Sequence, residues 1–252
     1  MANPQTQIAA QLLSTKSLAV SPTWLDNFLS SSSASSIQQR NIPISALTQT
    51  ALFRVLTSDF RDSLTTTTAN LLPVDISDPT VKERRINGPI PLQVLDIEDI
   101  GTSLWNQVEA IERVERGEAI RGREIVRTVN VDEDSEERAN HSNSNGGSGG
   151  NGPHRLILQD AAGTRTVAIE LKRISDIAIG ELPIGAKLIL RNATVARGML
   201  LLSPECVTLL GGKMEAIDRV WRESRKERLL ARITELDREQ QRPGNGEDAM
   251  EE

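Results

Sequence analysis

Few side chains in this sequence could make or break bonds. There are two histidines, His141 and His154, and one cysteine, Cys206. A histidine acts as a general base only when something holds it within hydrogen-bond reach of the proton it takes. His141 lies in "HSNSNGGSGGNG", a flexible coil by composition, and His154 at the edge of that coil, so the sequence predicts that neither is held near a nucleophile. Cys206 falls in an apolar run, where a thiol reads as a small core residue. The carboxylates Asp96, Glu98 and Asp99 cluster at the end of another apolar run and read as solvated. "LLGGKMEA" has the Gly-Lys pair of a phosphate loop but lacks its first glycine, and has Met214 where Ser or Thr belongs. No C-x-x-C, H-E-x-x-H or acidic metal loop occurs. "NAT" at Asn192 matches a glycosylation sequon, with no secretion signal beside it. The expectation is a protein without catalytic residues, metal or cofactor.

Composition narrows the class further. The chain has 252 residues, of which 38% are hydrophobic and only 2% aromatic, with no Tyr. Its core must be built from Leu, Ile, Val and Ala. The net charge is −6, the wrong sign for a protein that coats phosphate backbones by counterion release. One cysteine excludes an internal disulfide and fits a reducing compartment. No run of 18 apolar residues occurs, and "MANPQTQIAAQLLSTKSLAV" lacks a basic start and a long apolar stretch. Cytosol or nucleus is the expected location.

The elements that would position any site fall into two groups. In the first 70 residues "IAAQLLSTKSLAV" has helical spacing, and "SPTWLDNFLSS" offers Ser21 as N-cap and Pro22 at the first helical position. "SALTQTALFRVLTSDFRDSL" carries Leu47, Ala51, Leu52, Val55, Leu56 and Phe60 on one stripe. "SSSSASS" separates the last two as a loop, and "LTTTTANLLPVDISDP" is a Pro-broken connector. From Pro89 the period becomes that of strands. "PIPLQVLDIEDI" alternates, with a slip at Leu95 that suggests a bulge. "RLILQD" and "TRTVAIELKRI" are joined by "DAAGT", whose Gly163 can take a positive φ. "AKLILRN" and "ARGMLLLSPECVTLL" add two strands joined near Asn192. Short links suggest five antiparallel strands closing a small barrel. In "LPIGAKLIL" Pro183 and Gly185 make a turn, with Leu188 and Leu190 facing one way and Lys187 and Ile189 the other. A helix follows from about Glu215, with Ile217, Val220, Trp221, Leu230 and Ile233 as its buried stripe and seven basic against seven acidic residues interleaved. The fold class is therefore α+β. A three-helix bundle (1–75) precedes a five-stranded β-barrel domain with a C-terminal helix (76–236), and a disordered acidic tail (237–252) follows.

Between the first strand and "RLILQD", residues 112–153 form an insertion of 42 residues, far longer than such links usually are. It holds an apolar island, "GREIVRTVNV", ahead of a charge run and the Gly/Ser coil. The island reads either as an extra strand capping the barrel or as a partner-binding segment. A small barrel also suits single-stranded nucleic acid. From His154 to Gly212, however, seven basic residues face five acidic ones and no aromatic ring occurs. Base stacking on rings, worth roughly 1–3 kcal/mol per base, has no platform there. Such a barrel suits protein better than DNA.

Taken together, "SPTWLDNFLS", "LTSDFRDSL…LLP", "PLQVLDIEDIGTSLWNQVEAIE", "LPIGAKLIL", "RGMLLLSPECVTLLGGKMEAI" and "KERLLARI" resemble the N-terminal region of the RecQ-mediated genome instability protein 1 family, from about Ser21 to about Leu236. The resemblance implies an OB-fold barrel after a helical bundle and a nuclear, non-enzymatic subunit. It implies two partners, a type IA topoisomerase III and a RecQ-family helicase, with at most weak DNA contact within the complex, and a role in dissolving double Holliday junctions. The family's insertion reaches the topoisomerase gate, which points here to Arg121, Arg123, Ile125, Val126, Arg127 and Val129. Its partner-binding lysine matches Lys187, read as a docking residue whose loss leaves the fold intact. The second barrel of larger members, with the small subunit it binds, is not implied. The rival reading is a stand-alone single-strand binding module.

Overall fold

A computed structural model describes residues 3–30, 43–117 and 152–240. The chain forms two compact units, residues 1–101 with 150–225 and residues 102–149 with 226–252.

The first unit begins with helix α1 (Pro4–Lys16), whose N-cap Asn3 accepts from the Gln5 N–H. It ends at Ser17 in the left-handed conformation, where the Ser17 N–H donates to the Leu13 carbonyl at 3.0 Å and the Leu18 N–H to the Leu12 carbonyl at 3.3 Å. Helices α2 (Pro22–Ser30) and α3 (Ile44–Thr57) follow. The stripe expected to run through Phe60 is interrupted. Ser58 is extended and Asp59 caps a separate short helix, α4 (Phe60–Ser63). Ile8, Leu12, Leu18, Leu25, Leu47, Ala51, Val55 and Phe60 share one core.

The barrel strands are β1 (Arg84–Ile86), β2 (Ile90–Asp99), β3 (His154–Gln159), β4 (Arg165–Glu170), β5 (Lys187–Leu190), β6 (Ala193–Ala196), β7 (Met199–Leu202) and β8 (Val207–Gly211). They make one sheet in the order β1-β6-β7-β4-β3-β2-β5-β8. The sequence reading of five antiparallel strands needs three corrections, the first being β1, which pairs with β6 ahead of the stretch where strands were expected to begin. The run 187–211 contains four strands rather than two, because the chain turns three times: at Asn192, which adopts positive φ, at Arg197 and Gly198, which also do, and at Ser203–Cys206, where the Cys206 N–H donates to the Ser203 carbonyl at 3.1 Å. Strand β7 also lies parallel to β4. The slip in β2 is a register shift between Val94 and Asp96, and Gly163 takes φ 91° in the β3–β4 turn. Leu92, Val94, Leu156, Leu158, Leu188, Leu190, Leu200 and Leu202 fill the barrel, with Cys206 packed among them.

Helix α6 (Glu215–Gln240) runs four residues into the stretch expected to be tail. Its stripe is narrower than the spacing suggests. Trp221 is buried in the barrel core, but Ile217 and Val220 are exposed. Asp218 takes the inward place instead, accepting the Ile184 N–H at 2.8 Å, and the Trp221 indole N–H donates to Asp96. The second unit contains helix α5 (Leu104–Glu115), which sequence reasoning left inside the link and insertion. Ser103 caps it by accepting the Asn106 N–H, and Leu104, Val108 and Ile111 are the spacing that could have revealed it. Within that unit Lys226 of α6 bridges Glu112 and Glu115 at 3.3 and 2.7 Å, Val108 and Ile233 are buried, and Leu230 is exposed. No helix among the described residues is long and apolar enough to cross a membrane.

Trp221 is buried in the barrel core and its indole N–H donates to Asp96, so Trp221→Ala leaves a cavity and removes that hydrogen bond. Urea denaturation is expected to show a loss of about 3–5 kcal/mol, against little change for the exposed Val220→Ala.

Candidate functional site

The turn ahead of β5 sets the direction of Lys187. Gly185, at φ 85°, donates to the Val94 carbonyl at 2.8 Å, and a Cβ there would lie 2.5 Å from Met214. With β5 in register against β2, so that Lys187 lies opposite Gln93, Leu188 and Leu190 point into the barrel while Ile189 joins the helical core. The alternation is that expected from the sequence. Its consequence for Lys187 is not. The lysine is 0% exposed. Its ammonium donates to Gln93 Oε1 at 2.9 Å and stands 4.6 Å from the centre of the Phe60 ring.

In the free chain the ammonium is therefore enclosed beside Phe60 of α4, and contact with a partner would require α4 to move. Lys187 ties the barrel to the helices. Gln93 is the hub. Its Oε1 also accepts the Phe60 N–H at 3.0 Å, and its Nε2 donates to Asp59 Oδ1 at 2.9 Å and to Gln159 Oε1 at 3.1 Å. Every donor and acceptor of that amide is used. Burial alone would push the Asp59 carboxyl up, but hydrogen bonds from Arg61 and Gln93 outweigh it and hold the group below the usual carboxylate range. Burial pushes the Lys187 ammonium down to about 8, opposed by the Asp59 charge.

Other buried polar groups also differ from expectation. His154, read as unheld at a coil edge, is 0% exposed at the start of β3. Its Nδ1 lies 2.8 Å from Glu170 Oε2, and its backbone N–H donates to the same oxygen at 3.1 Å. The other Glu170 oxygen accepts the Ile174 N–H. Nε2 is buried and makes no hydrogen bond. Asp160 accepts the N–H groups of Leu72, Ala162 and Thr164 at 2.9, 3.0 and 2.8 Å. The acidic cluster of β2 is engaged rather than merely solvated: Glu98 pairs with Arg155 at 3.0 Å, and Asp99 is buried and accepts the Gly101 N–H. Among the described residues no group of three or more His, Cys, Asp or Glu could hold a metal. The six aromatic residues are Trp24, Phe28, Phe53, Phe60, Trp105 and Trp221, and none lies on a strand. Of the residues proposed for partner binding, Arg121, Arg123, Ile125, Val126, Arg127 and Val129 lie outside the described residues.

Two outcomes follow for Lys187. Lys187→Met keeps the volume and removes a buried charge, so its melting temperature is expected to equal or exceed that of the wild type. Lys187→Ala leaves a cavity and is expected to cost about 2 kcal/mol or more in thermal or urea unfolding. The pH dependence has a definite sign. Below about pH 8 the folded chain carries the full cost of the buried ammonium. As pH rises toward 10.5 the folded lysine releases its proton before the unfolded one does, so this group contributes a gain in stability with pH of about 3 kcal/mol in total. Urea titrations at pH 7.5, 9 and 10 are expected to show wild type gaining on Lys187→Met across that window.

Comparison with known proteins adds an independent observation. Residues 12–63 match the family model for the RMI1 N-terminal helical domain, and residues 72–225 match that for the RMI1 N-terminal OB-fold domain. RecQ-mediated genome instability protein 1 of Schizosaccharomyces pombe is 31% identical over 173 residues, covering 66% of this chain and 71% of that protein. The helices, the barrel with its parallel β4–β7 pair, and both family matches agree: the chain belongs to the RecQ-mediated genome instability protein 1 family.

Proposed function

We propose that the chain is a non-catalytic scaffold and regulatory subunit of a RecQ complex that maintains genome stability. In this reading it acts in the nucleus, joins a type IA topoisomerase III to a RecQ-family helicase, and promotes decatenation and the dissolution of double Holliday junctions. The observation that carries the reading is the pair of family matches, which cover the helices and the barrel in order. The barrel's chemistry supports it. Its strands present no aromatic ring for stacking bases, and the chain's net charge of −6 opposes a phosphate backbone. The partner contacts are assigned to the insertion between α5 and β3, with Arg121, Arg123, Ile125, Val126, Arg127 and Val129 as its candidates. Lys187 acts on the partner through the fold alone.

The test is decatenation by the cognate topoisomerase III with and without the purified chain. Stimulation is expected from the wild type and from Lys187→Met. Replacement of residues 118–151 by a short Gly/Ser linker is expected to leave docking intact and remove most of the stimulation. Wild-type protein that neither binds nor stimulates the topoisomerase, yet binds single-stranded DNA tightly with a steep salt dependence, would replace this reading with that of a single-strand binding module.

A further inference from the structure

The stretch that carries α5 and the insertion leaves and rejoins the barrel at one narrow place. Strands β2 and β3 stay paired to their ends, Asp99 opposite His154. The Ile100 N–H continues the ladder by donating to the Pro153 carbonyl at 3.0 Å. One step further out, Gly101 faces Gly152. A Cβ on Gly101 would lie 2.6 Å from the Gly152 Cα, and a Cβ on Gly152 would lie 2.6 Å from the Gly101 Cα and 2.9 Å from Asp99 Oδ1. Neither glycine is at positive φ, so both positions demand glycine for space and not for backbone conformation. The nearest obstructing atom on each side is backbone, which no rotamer change moves aside.

Both sides of this neck are fastened from within the barrel. On the β2 side Asp99 is 5% exposed, and its Oδ1 accepts the Gly101 N–H at 2.8 Å. On the β3 side Glu170 Oε2 accepts the backbone N–H of His154 at 3.1 Å and lies 2.8 Å from the ring Nδ1 of the same residue. The ring's other nitrogen, Nε2, is enclosed and makes no hydrogen bond among the described residues. An apolar side chain would fill that place at lower cost. What the histidine supplies instead is a second tie from the first residue of β3 to the end of β4.

We infer that Gly101, Gly152 and His154 are positioning residues. They hold the two ends of this stretch together at one point of the barrel, and so set the place from which the insertion acts on its partner. The inference rests on the reading in which the insertion acts on the topoisomerase. A segment tied at both ends to a rigid frame loses less freedom on reaching its target than one whose ends can separate. None of the three residues needs to touch the partner to do this.

The test reads the neck and the function separately. In the wild type the Ile100 and Val94 amides, which donate to the Pro153 and Ala186 carbonyls, are both expected to be protected from hydrogen exchange. Gly152→Ala is expected to expose the Ile100 amide and leave that of Val94 protected. A second variant, with two glycines inserted between Ile100 and Gly101, parts the neck without adding a clash and is expected to do the same. It decides the matter if Gly152→Ala loses the Val94 protection too. The same two glycines inserted after Gly180, in an exposed turn, are expected to change nothing. Both neck variants are expected to bind topoisomerase III as the wild type does. Their maximal stimulation of decatenation, at saturating protein, is expected to fall about tenfold, within what a displacement of about 1 Å can cause. Full stimulation with the Ile100 amide exposed would overturn the inference and leave the scaffold reading standing. So would an equal loss of affinity and stimulation, protection of Ile100 in both neck variants, or a wild-type Ile100 amide that exchanges as in an unfolded chain. A wild-type chain that does not stimulate the topoisomerase would overturn both.

Discussion

An ammonium group enclosed between a barrel and a helix imposes the strictest local requirement in this structure. Lys187 cannot reach water, so everything around it must meet its charge. Gln93 does so with its carbonyl oxygen and Phe60 with the face of its ring. Each of those partners is then fixed in turn. The Phe60 N–H is taken by the same glutamine oxygen, and the glutamine amide is shared between Asp59 and Gln159. Phe60 of α4 and its N-cap Asp59 thus bind side chains from two strands, Gln93 of β2 and Lys187 of β5. Ile189 and Ala161 of the barrel belong to the core of the helices for the same reason. Removing the ammonium alone costs little, but removing its volume opens the joint.

The other buried acids repeat this logic with backbone partners. Segments that leave the sheet expose N–H groups that no strand satisfies. Asp160 takes those of Leu72 and of the β3–β4 turn. Glu170 takes those of His154 and Ile174, and Asp218 that of Ile184. Carboxylates therefore close the ends of the barrel where hydrophobic residues could not. Its middle remains a double layer, with aliphatics inside and a second aliphatic row outside on β3, β4 and β7. The inner row accounts for folding. The outer row stays partly exposed among the described residues.

Much of this could be read from residue types and spacing. Helical periodicity located α1 to α3, strand alternation located β2 to β5, and the slip at Leu95 and the glycine at 163 marked the bulge and the turn. The joint near Asn192 was legible, but the turns at Arg197–Gly198 and Ser203–Cys206 were missed, because they interrupt one apolar run whose alternation reads as a single strand. Helix α5 was missed because its polar face and exposed Trp105 hid a stripe of three residues. The candidate site was less legible still. Lysine and histidine are usually exposed or half-exposed. Only the tertiary pairing of Lys187 with Gln93, and of His154 with Glu170, shows why these two are enclosed. In α6 the buried place expected for Ile217 went to Asp218, because a backbone N–H at Ile184 required an acceptor.

The central claim is the enclosure of Lys187 between the barrel and the helices. It is tested most directly by following the Lys187 side-chain carbon beside the ammonium by NMR through a pH titration, with the signal assigned by its loss in Lys187→Met. The account predicts a midpoint of about 8. A midpoint at the ordinary 10.5 would place the ammonium in water and contradict it.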